Sequence, residues 1–266
     1  MVIDDVFAHL PLWAFFLATV IVSLLAVEAG FRLARYQHQH KEPGHDAPVG
    51  AMVGATLGLL AFMLAFTFGM AGTRFEARKQ LVLDEANVVG TAYRQAQLLP
   101  EPQSSEIRGL LREYVNIRVA VVTAASQPDK VALAVARSEE IHRLLWSHVF
   151  ALARKDPGHI GLGLFIPLVN QVIELHAKRV LVAGRGRIPA TIWIALYFLA
   201  ITGMASMGYH IGSTSSRRSV VVLLLAFAFS SVIALTADLD RGIEGPLRVS
   251  VQAMVDLQQT MTEDQR

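Results

Sequence analysis

Near its carboxyl end the sequence changes abruptly from apolar residues to charged ones. Ser219–Ala237 carries no ionisable side chain, and Asp238, Asp240, Arg241 and Glu244 follow it directly. Carboxylates and a guanidinium this close together can form ion pairs. They also mark the level at which a helix leaves the lipid, because ionised groups are costly inside it. We therefore expect counter-charges at the same level on a neighbouring segment.

We predict that Arg74 and Arg78, at the end of the second apolar segment, supply these counter-charges. The second and fourth segments leave the membrane on the same side, so both arginines can lie level with Asp238 and Asp240. Opposite charges at the boundary between lipid and water would fix the depth and register of both helices. Together with Arg241 they would also surround any passage with polar groups.

Other polar side chains have simpler explanations. Asp84, Glu85 and Asn87 follow on the same extension, where a solvated helix face accounts for them. Glu28 ends the first apolar segment, and Arg32 follows it in the favourable acid-first order, which predicts a local ion pair. The apolar segments carry no midplane carboxylate, histidine or lysine. Their absence disfavours transport coupled to protons or sodium ions.

A histidine-rich loop is the only sequence candidate for a metal site. The stretch "YQHQHKEPGHDAP" contains His38, His40, His45 and Asp46, which could ligate zinc or nickel. Gly and Pro interrupt it, and a solvated loop is the better interpretation, so we expect no metal. The sequence has no cysteine, P-loop, nucleophile elbow or HExxH motif. We therefore expect neither enzymatic activity nor a cofactor.

The composition predicts a multi-pass membrane protein whose first partner is the lipid bilayer. Of 266 residues, 53% are hydrophobic and 17% are charged, against about 25% charged in soluble domains. A hydrocarbon core about 30 Å thick is crossed by roughly 20 apolar residues. Four segments satisfy this: Leu10–Gly30, Val49–Thr73, Ile188–Tyr209 and Ser219–Ala237. The net charge of +2 is too small to indicate nucleic-acid binding.

We predict an all-α fold with four transmembrane helices in two hairpins. The hairpins are residues 1–73 and 188–240, with a central antiparallel helical bundle at 74–187 and an amphipathic tail at 241–266. The second segment continues without Gly or Pro as far as Gly90, which predicts one helix of about fifty residues. We expect the tail either to lie on the membrane surface or to pack against the bundle.

The positive-inside rule gives two answers about orientation. Basic residues after the first segment and in the other short loop place those loops in the cytoplasm: Arg32, Arg35, Lys41, Arg217 and Arg218. A larger group flanks the segments on the opposite side: Arg74, Arg78, Lys79, Lys178, Arg179, Arg185, Arg187, Arg241 and Arg248. We follow the larger group and predict a cytoplasmic bundle.

The second apolar segment carries two stripes at helical spacing. Small residues recur on one face: Gly50, Gly54, Gly58, Ala61, Ala65 and Gly69. They allow another helix to approach closely, either within the chain or from a second subunit, or they line a passage. A bulky stripe follows the same spacing: Phe62, Phe66 and Met70. It faces lipid or core, or it forms a constriction around a symmetry axis that gates by dewetting.

Over its whole length the sequence resembles the bestrophin-like integral membrane proteins of bacteria. The resemblance is carried by "GLLAFMLAFTFGMAGTRFEARKQLVLDEANVVGTAYRQAQLLPEP", "IRGLLREYVNIR" and "DLDRGIEGPLRVS". Relatives often carry proline directly after the last "LDR", where this chain has Gly242. The number of apolar segments and the large central segment agree with the family, and the resemblance implies a bacterial inner-membrane location.

The resemblance also implies a function. Bestrophins are oligomeric anion channels in which bulky apolar residues at four-residue spacing surround the pore, and Phe62, Phe66 and Met70 occupy a comparable place. This implies a homo-oligomeric ion channel that passes small anions. The acidic calcium-binding cluster of animal bestrophins is not evident in this sequence. The alternative hypothesis is a membrane-anchored sensor or scaffold whose bundle binds a ligand or a protein partner.

Overall fold

The computed structural model describes residues 10–40, 49–123, 127–185, 188–214, 220–242 and 247–264. These residues form eight α-helices and one short 3₁₀ helix: α1 Leu12–His40, α2 Val49–Gln95, the 3₁₀ helix Ala96–Leu98, α3 Gln103–Thr123, α4 Pro128–Lys155, α5 Ile160–Arg185, α6 Ala190–Thr214, α7 Val220–Arg241 and α8 Gln252–Glu263. The described part of the chain contains no strand, which confirms the predicted all-helical fold.

The chain divides into two compact units. The first unit comprises residues 1–75 and 187–248, and the second comprises residues 76–186 and 249–266. Helix α2 is 47 residues long and contributes to both units. At 1.5 Å per residue its length is about 70 Å. The prediction that the second apolar segment and its extension form one helix is confirmed.

Five helices, not four, are long and apolar enough to cross a membrane. By length and composition they are Leu12–Gln37, Val49–Leu98, Ile160–Val182, Ala190–Thr214 and Val220–Arg241. The additional candidate is α5, which the sequence analysis assigned to the bundle and did not count. Its apolar residues are interrupted by Asn170, Glu174 and His176, so no unbroken apolar run marks it in the sequence.

In the first unit, α1 and α6 pack backbone against backbone. A Cβ atom added at Gly30 would lie 1.9 Å from the carbonyl oxygen of Ala205, and one added at Gly208 would lie 2.0 Å from that of Val27. Only glycine fits at these two positions, because the helices approach closely there. A cluster of large apolar side chains completes the unit: Phe15, Leu60, Leu64, Leu196 and Ile233.

Helix α1 makes two polar contacts, of which the sequence predicted one. The predicted Glu28–Arg32 ion pair is present, with 2.8 Å between Oε1 and Nε. The hydroxyls of Thr19 and Tyr197 lie 2.8 Å apart and connect α1 to α6. This contact was not predicted from the sequence. Of the histidine-rich stretch, His38 and His40 belong to the last turn of α1 and not to a loop. His45 and Asp46 lie outside the described residues.

Gly242 directly follows α7, at the position where the family resemblance implies a proline. Gly242 adopts a φ of 63°, and its N–H donates to the carbonyl oxygen of Asp238 at 2.9 Å. A positive φ is accessible to glycine and closed to proline, whose ring holds φ near −65°. A proline at this position would therefore require a different turn.

In the second unit, α3 packs against α4 and α8, and α4 packs against α5. The largest fully buried side chains of its core are Ile107, Leu111, Tyr114, Ile141, Leu145, Phe165 and Met261. The carboxyl-terminal helix α8 buries Met254 and Met261 in this unit. At its end, Asp264 accepts hydrogen bonds from Arg108 and from the hydroxyl of Tyr93.

Candidate functional site

The bulky stripe of α2 divides between two environments. Phe62 and Phe66 lie one helical turn apart on an open face, with 66% and 57% of their surface exposed. Met70 is half-buried and packs against a small cluster that contains Ala71 and Leu239. The structure therefore brings the two phenylalanines together and places Met70 at the edge of packed side chains.

The glycine stripe of α2 is open for most of its length. Apart from the neighbouring backbone of α2 itself, a Cβ atom added at Gly54, Gly58 or Gly69 would meet no atom of the described chain within 4 Å. Only Gly50 has a neighbour, because its Cβ would lie 3.4 Å from the ring of His210. Packing within the described part of this chain therefore accounts for Gly50 and not for the other three glycines.

The two aspartates after the last apolar run are buried and accept backbone hydrogen bonds. Oδ1 of Asp240 accepts the N–H of Ile188 at 2.9 Å, and Oδ2 of Asp238 accepts the N–H of Leu247 at 3.2 Å. Asp240 thus holds the residues that precede α6, and Asp238 holds the chain that follows α7. These contacts with the backbone could not be predicted from the sequence.

The arginines predicted to lie near these aspartates are Arg241, Arg74 and Arg78. Arg241 donates to the carbonyl oxygen of Leu10, and its guanidinium lies 5.5 Å from the ring centroid of Phe15. Arg74 and Arg78 are half-buried on α2. Their pairing with the aspartates stays a prediction.

A buried polar cluster lies in the second unit, and sequence analysis missed it. Each of four helices contributes at least one side chain: Glu85 from α2, Tyr114 and Arg118 from α3, His142 from α4, and His176 and Arg179 from α5. Helical spacing places Tyr114 and Arg118 on one face of α3, and His176 and Arg179 on one face of α5. The cluster therefore forms where the four helices meet.

Glu85 is the centre of the polar cluster. Its carboxylate accepts hydrogen bonds from the Tyr114 hydroxyl and from Arg179, and Nε of Arg118 lies 3.3 Å from Oε1. The Tyr114 hydroxyl also lies 3.2 Å from Nδ1 of His176. The buried Glu85 carboxylate thus binds donors from both α3 and α5. The positive charges of the two arginines compensate its negative charge.

The two histidines lie edge to face beside this carboxylate. Their ring centroids are 4.9 Å apart with an interplanar angle of 82°, and the ring of Tyr114 lies 5.3 Å from that of His142. Nε2 of His142 and Nε2 of His176 are buried and have no hydrogen-bond partner among the described residues. Such unpaired nitrogens are unusual in a packed interior.

Burial and the neighbouring charges set the ionisation of the cluster. Burial raises the pKa of Glu85, but the guanidiniums of Arg118 and Arg179 and the Tyr114 hydrogen bond outweigh it, so this pKa is lowered. Burial lowers the pKa of His142 and that of His176 to about 4. At neutral pH the cluster therefore holds one carboxylate, two guanidiniums and uncharged imidazoles.

The expectation of a solvated helix face is wrong for Glu85. This side chain has no exposed surface, whereas Asp84 is half-buried and Asn87 is exposed. A signal was available in the sequence, because Glu85 lies three residues after Val82 and four before Val89, both of which are buried. A carboxylate at helical spacing within an apolar stripe is expected to have buried partners.

The arrangement is suited to holding helices in register and not to ligating a metal. Within the described residues, no group of three or more His, Asp or Glu side chains is placed to hold a metal ion. The polar groups that the cluster could offer to a bound solute are uncharged imidazole nitrogens and guanidinium N–H groups. The cluster and the open face of α2 are therefore two separate candidates for function.

Solved structures with this fold are found among bacterial bestrophin homologues. A single-substitution variant of the Klebsiella pneumoniae homologue is similar with a TM-score of 0.68 at 14% identity, over 96% of this chain and 98% of that one. A second structure of the Klebsiella pneumoniae homologue is similar with a TM-score of 0.63 at 15% identity, over 94% of this chain and 96% of that one. At this identity the similarity establishes the fold alone.

The sequence comparison supplies the family. No curated protein matches the sequence. The family model of the bestrophin-like domain matches residues 17–254, which is most of the chain. Together with its apolar helices, this match identifies a multi-pass membrane protein. The chain belongs to the bestrophin-like family.

Proposed function

We propose that this protein is a homo-oligomeric, channel-like membrane protein that passes small anions. The observation that carries the proposal is the open face of α2, on which Phe62 and Phe66 lie beside glycines that nothing in the described chain covers. Membership of the bestrophin-like family supports it. An enzymatic role receives no support from the residues of either candidate site.

The proposed topology has four spans, with α5 in an antiparallel helical bundle. The apolar face of α5 is buried in the core of the second unit through Leu162, Phe165, Val169 and Val172. Its other end supplies His176 and Arg179 to the polar cluster. A helix with these partners contributes to a water-exposed bundle. The larger of the two groups of basic residues that flank the spans supports a cytoplasmic bundle. The family resemblance supports the inner membrane of a bacterium.

The proposed assembly uses the glycine stripe of α2. Gly54, Gly58 and Gly69 leave space on a helix that crosses lipid, where small residues favour close helix contacts. A second copy of the chain is the partner that such a face fits, because repetition around an axis brings α2 of each copy to the same passage. Phe62 and Phe66 then form rings that narrow this passage.

The proposed gate is a hydrophobic constriction at Phe62 and Phe66. Rings of apolar side chains empty of water when they are narrow, and an ion cannot cross without its hydration shell. Met70 lies one turn further along α2, at the edge of packed side chains. Arg74 follows at the end of the span, where its proposed pairing with Asp240 would fix the depth of α2.

Chloride flux from liposomes tests this proposal. Phe66→Ala removes bulk from the constriction, and we expect it to raise the flux of the reconstituted protein by about tenfold. Phe68→Ala is the matched control, because Phe68 lies on the same helix with 38% of its surface exposed, on a different face. We expect this control to change the flux by less than about twofold. Absence of flux in both the unmodified protein and Phe66→Ala would contradict the channel, and flux of sodium without chloride would contradict anion selectivity.

A further inference from the structure

Helix α5 changes character along its length. Its first half is held in the core of the second unit by buried apolar side chains: Leu162, Phe165, Val169 and Val172. Residues 173–182, the terminal segment of α5, differ, because His176 is the only buried side chain among them. Val180 and Leu181 of this segment are exposed. The terminal segment is therefore attached to the other helices mainly by polar contacts.

Two side chains make these polar contacts. Arg179 donates to the carboxylate of Glu85 on α2, and Nδ1 of His176 lies 3.2 Å from the hydroxyl oxygen of Tyr114 on α3. Parts of a protein with few buried apolar contacts open more readily than its core. The terminal segment is thus the part of α5 that can separate from the bundle while the first half of the helix stays packed.

The hydrogen bonds of Tyr114 determine which nitrogen of His176 carries the proton. The tyrosine hydroxyl has one proton and donates it to Glu85, so its oxygen accepts from Nδ1 of His176. An uncharged imidazole has a single N–H, which leaves a free lone pair on Nε2. This nitrogen is buried and has no hydrogen-bond partner among the described residues. A proton added in acid therefore goes to Nε2, where the closed bundle offers it no acceptor.

The surroundings of the two imidazoles oppose a further positive charge. The charged and titratable groups that face them come from three helices: Glu85 of α2, Tyr114 and Arg118 of α3, and Arg179 of α5. One carboxylate already faces two guanidiniums in this cluster. His142 cannot accept the added proton's hydrogen bond, because the Nε2 atoms of His142 and His176 do not bond to each other. A buried charge without a partner is destabilising, so a protonated His176 favours an open state.

We propose that the polar cluster is an acid-operated release for the terminal segment of α5. Because Nε2 of His176 is buried, it takes up a proton only when this segment has separated from α2 and α3, so acid increases the population of the open state. Opening breaks the contact between Arg179 and Glu85 and leaves Glu85 with its donors from α3. The proposal concerns the helical bundle and does not depend on whether the protein conducts ions.

The ionisation of the closed cluster agrees with this direction. Burial lowers the pKa of His142 and that of His176 to about 4, against an ordinary value of 6.5 for an exposed imidazole. Between these two values the open state binds more protons than the closed one, so acid favours opening. His142 adds to the effect, because its ring packs against that of His176 in the closed cluster.

Hydrogen–deuterium exchange of the full-length protein in lipid nanodiscs tests the proposal, with labelling times scaled to give equal intrinsic exchange at each pH. From about pH 7.5 to about pH 4.5 we expect amide exchange in residues 173–182 to rise at least tenfold. Exchange in residues 160–172 should change by less than about twofold, because apolar burial holds them. Equal acceleration in both halves of α5, or none in the terminal segment, would overturn the proposal.

The pH profile of this exchange counts the protons taken up on opening. We expect the rate in the terminal segment to rise by at least about tenfold per pH unit in the steepest part of the profile, which corresponds to one proton or more. His176→Gln and His176→Phe both remove the titrating nitrogen; the first keeps a hydrogen-bond donor and the second keeps a ring. Whichever variant folds, its profile should lose about one proton.

His148→Gln is the matched control, because His148 lies on α4 beside the exposed Glu106 and outside the polar cluster. We expect this variant to keep the full acid response of the terminal segment. An unchanged profile in a folded His176 variant would overturn the proposal, and so would a profile that His148→Gln flattens to the same extent.

Discussion

The carboxylate of Glu85 lies against the guanidinium of Arg118, with 3.3 Å between Oε1 and Nε and both side chains buried. Arg179 and Tyr114 bind the same carboxylate from two other directions. Since Glu85 belongs to α2, this arrangement fixes the register of the long helix against α3 and α5. Removing the carboxylate would leave two guanidiniums without their common partner.

We expect Glu85→Gln to destabilise the protein by about 3–5 kcal/mol, because it leaves buried positive charge uncompensated. The matched control is Asp84→Asn, which makes the same chemical change one residue earlier, at a half-buried side chain bound to Gln80. We expect this control to change the free energy of unfolding by less than about 0.5 kcal/mol. Unfolding of the purified protein by SDS titration measures both. Equal stability of the two variants would contradict the role assigned to Glu85.

Stability should fall as the pH is lowered from about 6.5 to about 4. The pKa values of His142 and His176 are about 4 in the folded protein, against an ordinary value of 6.5. In this window the unfolded chain binds more protons at these positions than the folded one, so acid favours unfolding. The lowered pKa of Glu85 adds to the loss in the same direction below its ordinary 4.5.

Melting temperatures from about pH 7.5 to about pH 4.5 measure this dependence. His142→Gln removes one of the two titrating imidazoles and should flatten the profile. His148→Gln is the control, because His148 lies on the same helix beside the exposed Glu106 and outside the polar cluster. A profile as steep in His142→Gln as in the unmodified protein would show that the acid sensitivity arises elsewhere.

Gly208→Ala should destabilise the contact between α1 and α6. The added methyl group would lie 2.0 Å from the carbonyl oxygen of Val27, so one helix must move. Overpacking of this kind costs about 1–3 kcal/mol. Gly72→Ala is the control, because nothing in the described chain lies within 4 Å of its Cβ position. Thermal unfolding in one detergent compares the two, and a melting temperature of Gly208→Ala equal to that of Gly72→Ala would contradict the close approach.

We propose that Asp240 pairs with Arg74 in addition to its bond to the N–H of Ile188. Asp240→Arg alone should prevent assembly, and Asp240→Arg with Arg74→Glu should restore a part of it. Asp240→Asn separates the two contributions, because its amide oxygen can still accept the Ile188 N–H but carries no charge. Gel filtration of the solubilised variants measures assembly. If the double variant does not recover assembly and Asp240→Asn assembles fully, the proposed pairing with Arg74 is contradicted. The hydrogen bond to the N–H of Ile188 would then be the only contribution of Asp240.

The helices of this protein could be predicted from sequence, because apolar runs and prolines determine where a helix begins and ends through residues that are close together along the chain. The single helix through Gly69 and Glu85 follows from the absence of any break, and the Glu28–Arg32 pair follows from spacing on one helix. The open faces of Phe62 and Phe66 could not be predicted, because a stripe does not reveal what covers it. Only the packing of the other helices decides that.

The polar cluster could not be assembled from sequence, because its members lie far apart along the chain. Glu85 and Arg179 are 94 positions apart, and Tyr114 and His176 are 62 positions apart. Charged residues on helices are usually solvated, so each one alone favours the surface. The apolar residues around Glu85 indicate its burial, but which side chains bind it is visible only when four helices bring the charges together.

A channel on a symmetry axis requires several copies of this chain, so the mass of the solubilised full-length protein is the most direct test. One chain weighs 29.1 kDa. We expect native mass spectrometry to find a single multiple of this mass, and Gly58→Leu to reduce it by filling the open face of α2. A mass of one chain in every detergent and lipid used would contradict the proposed channel.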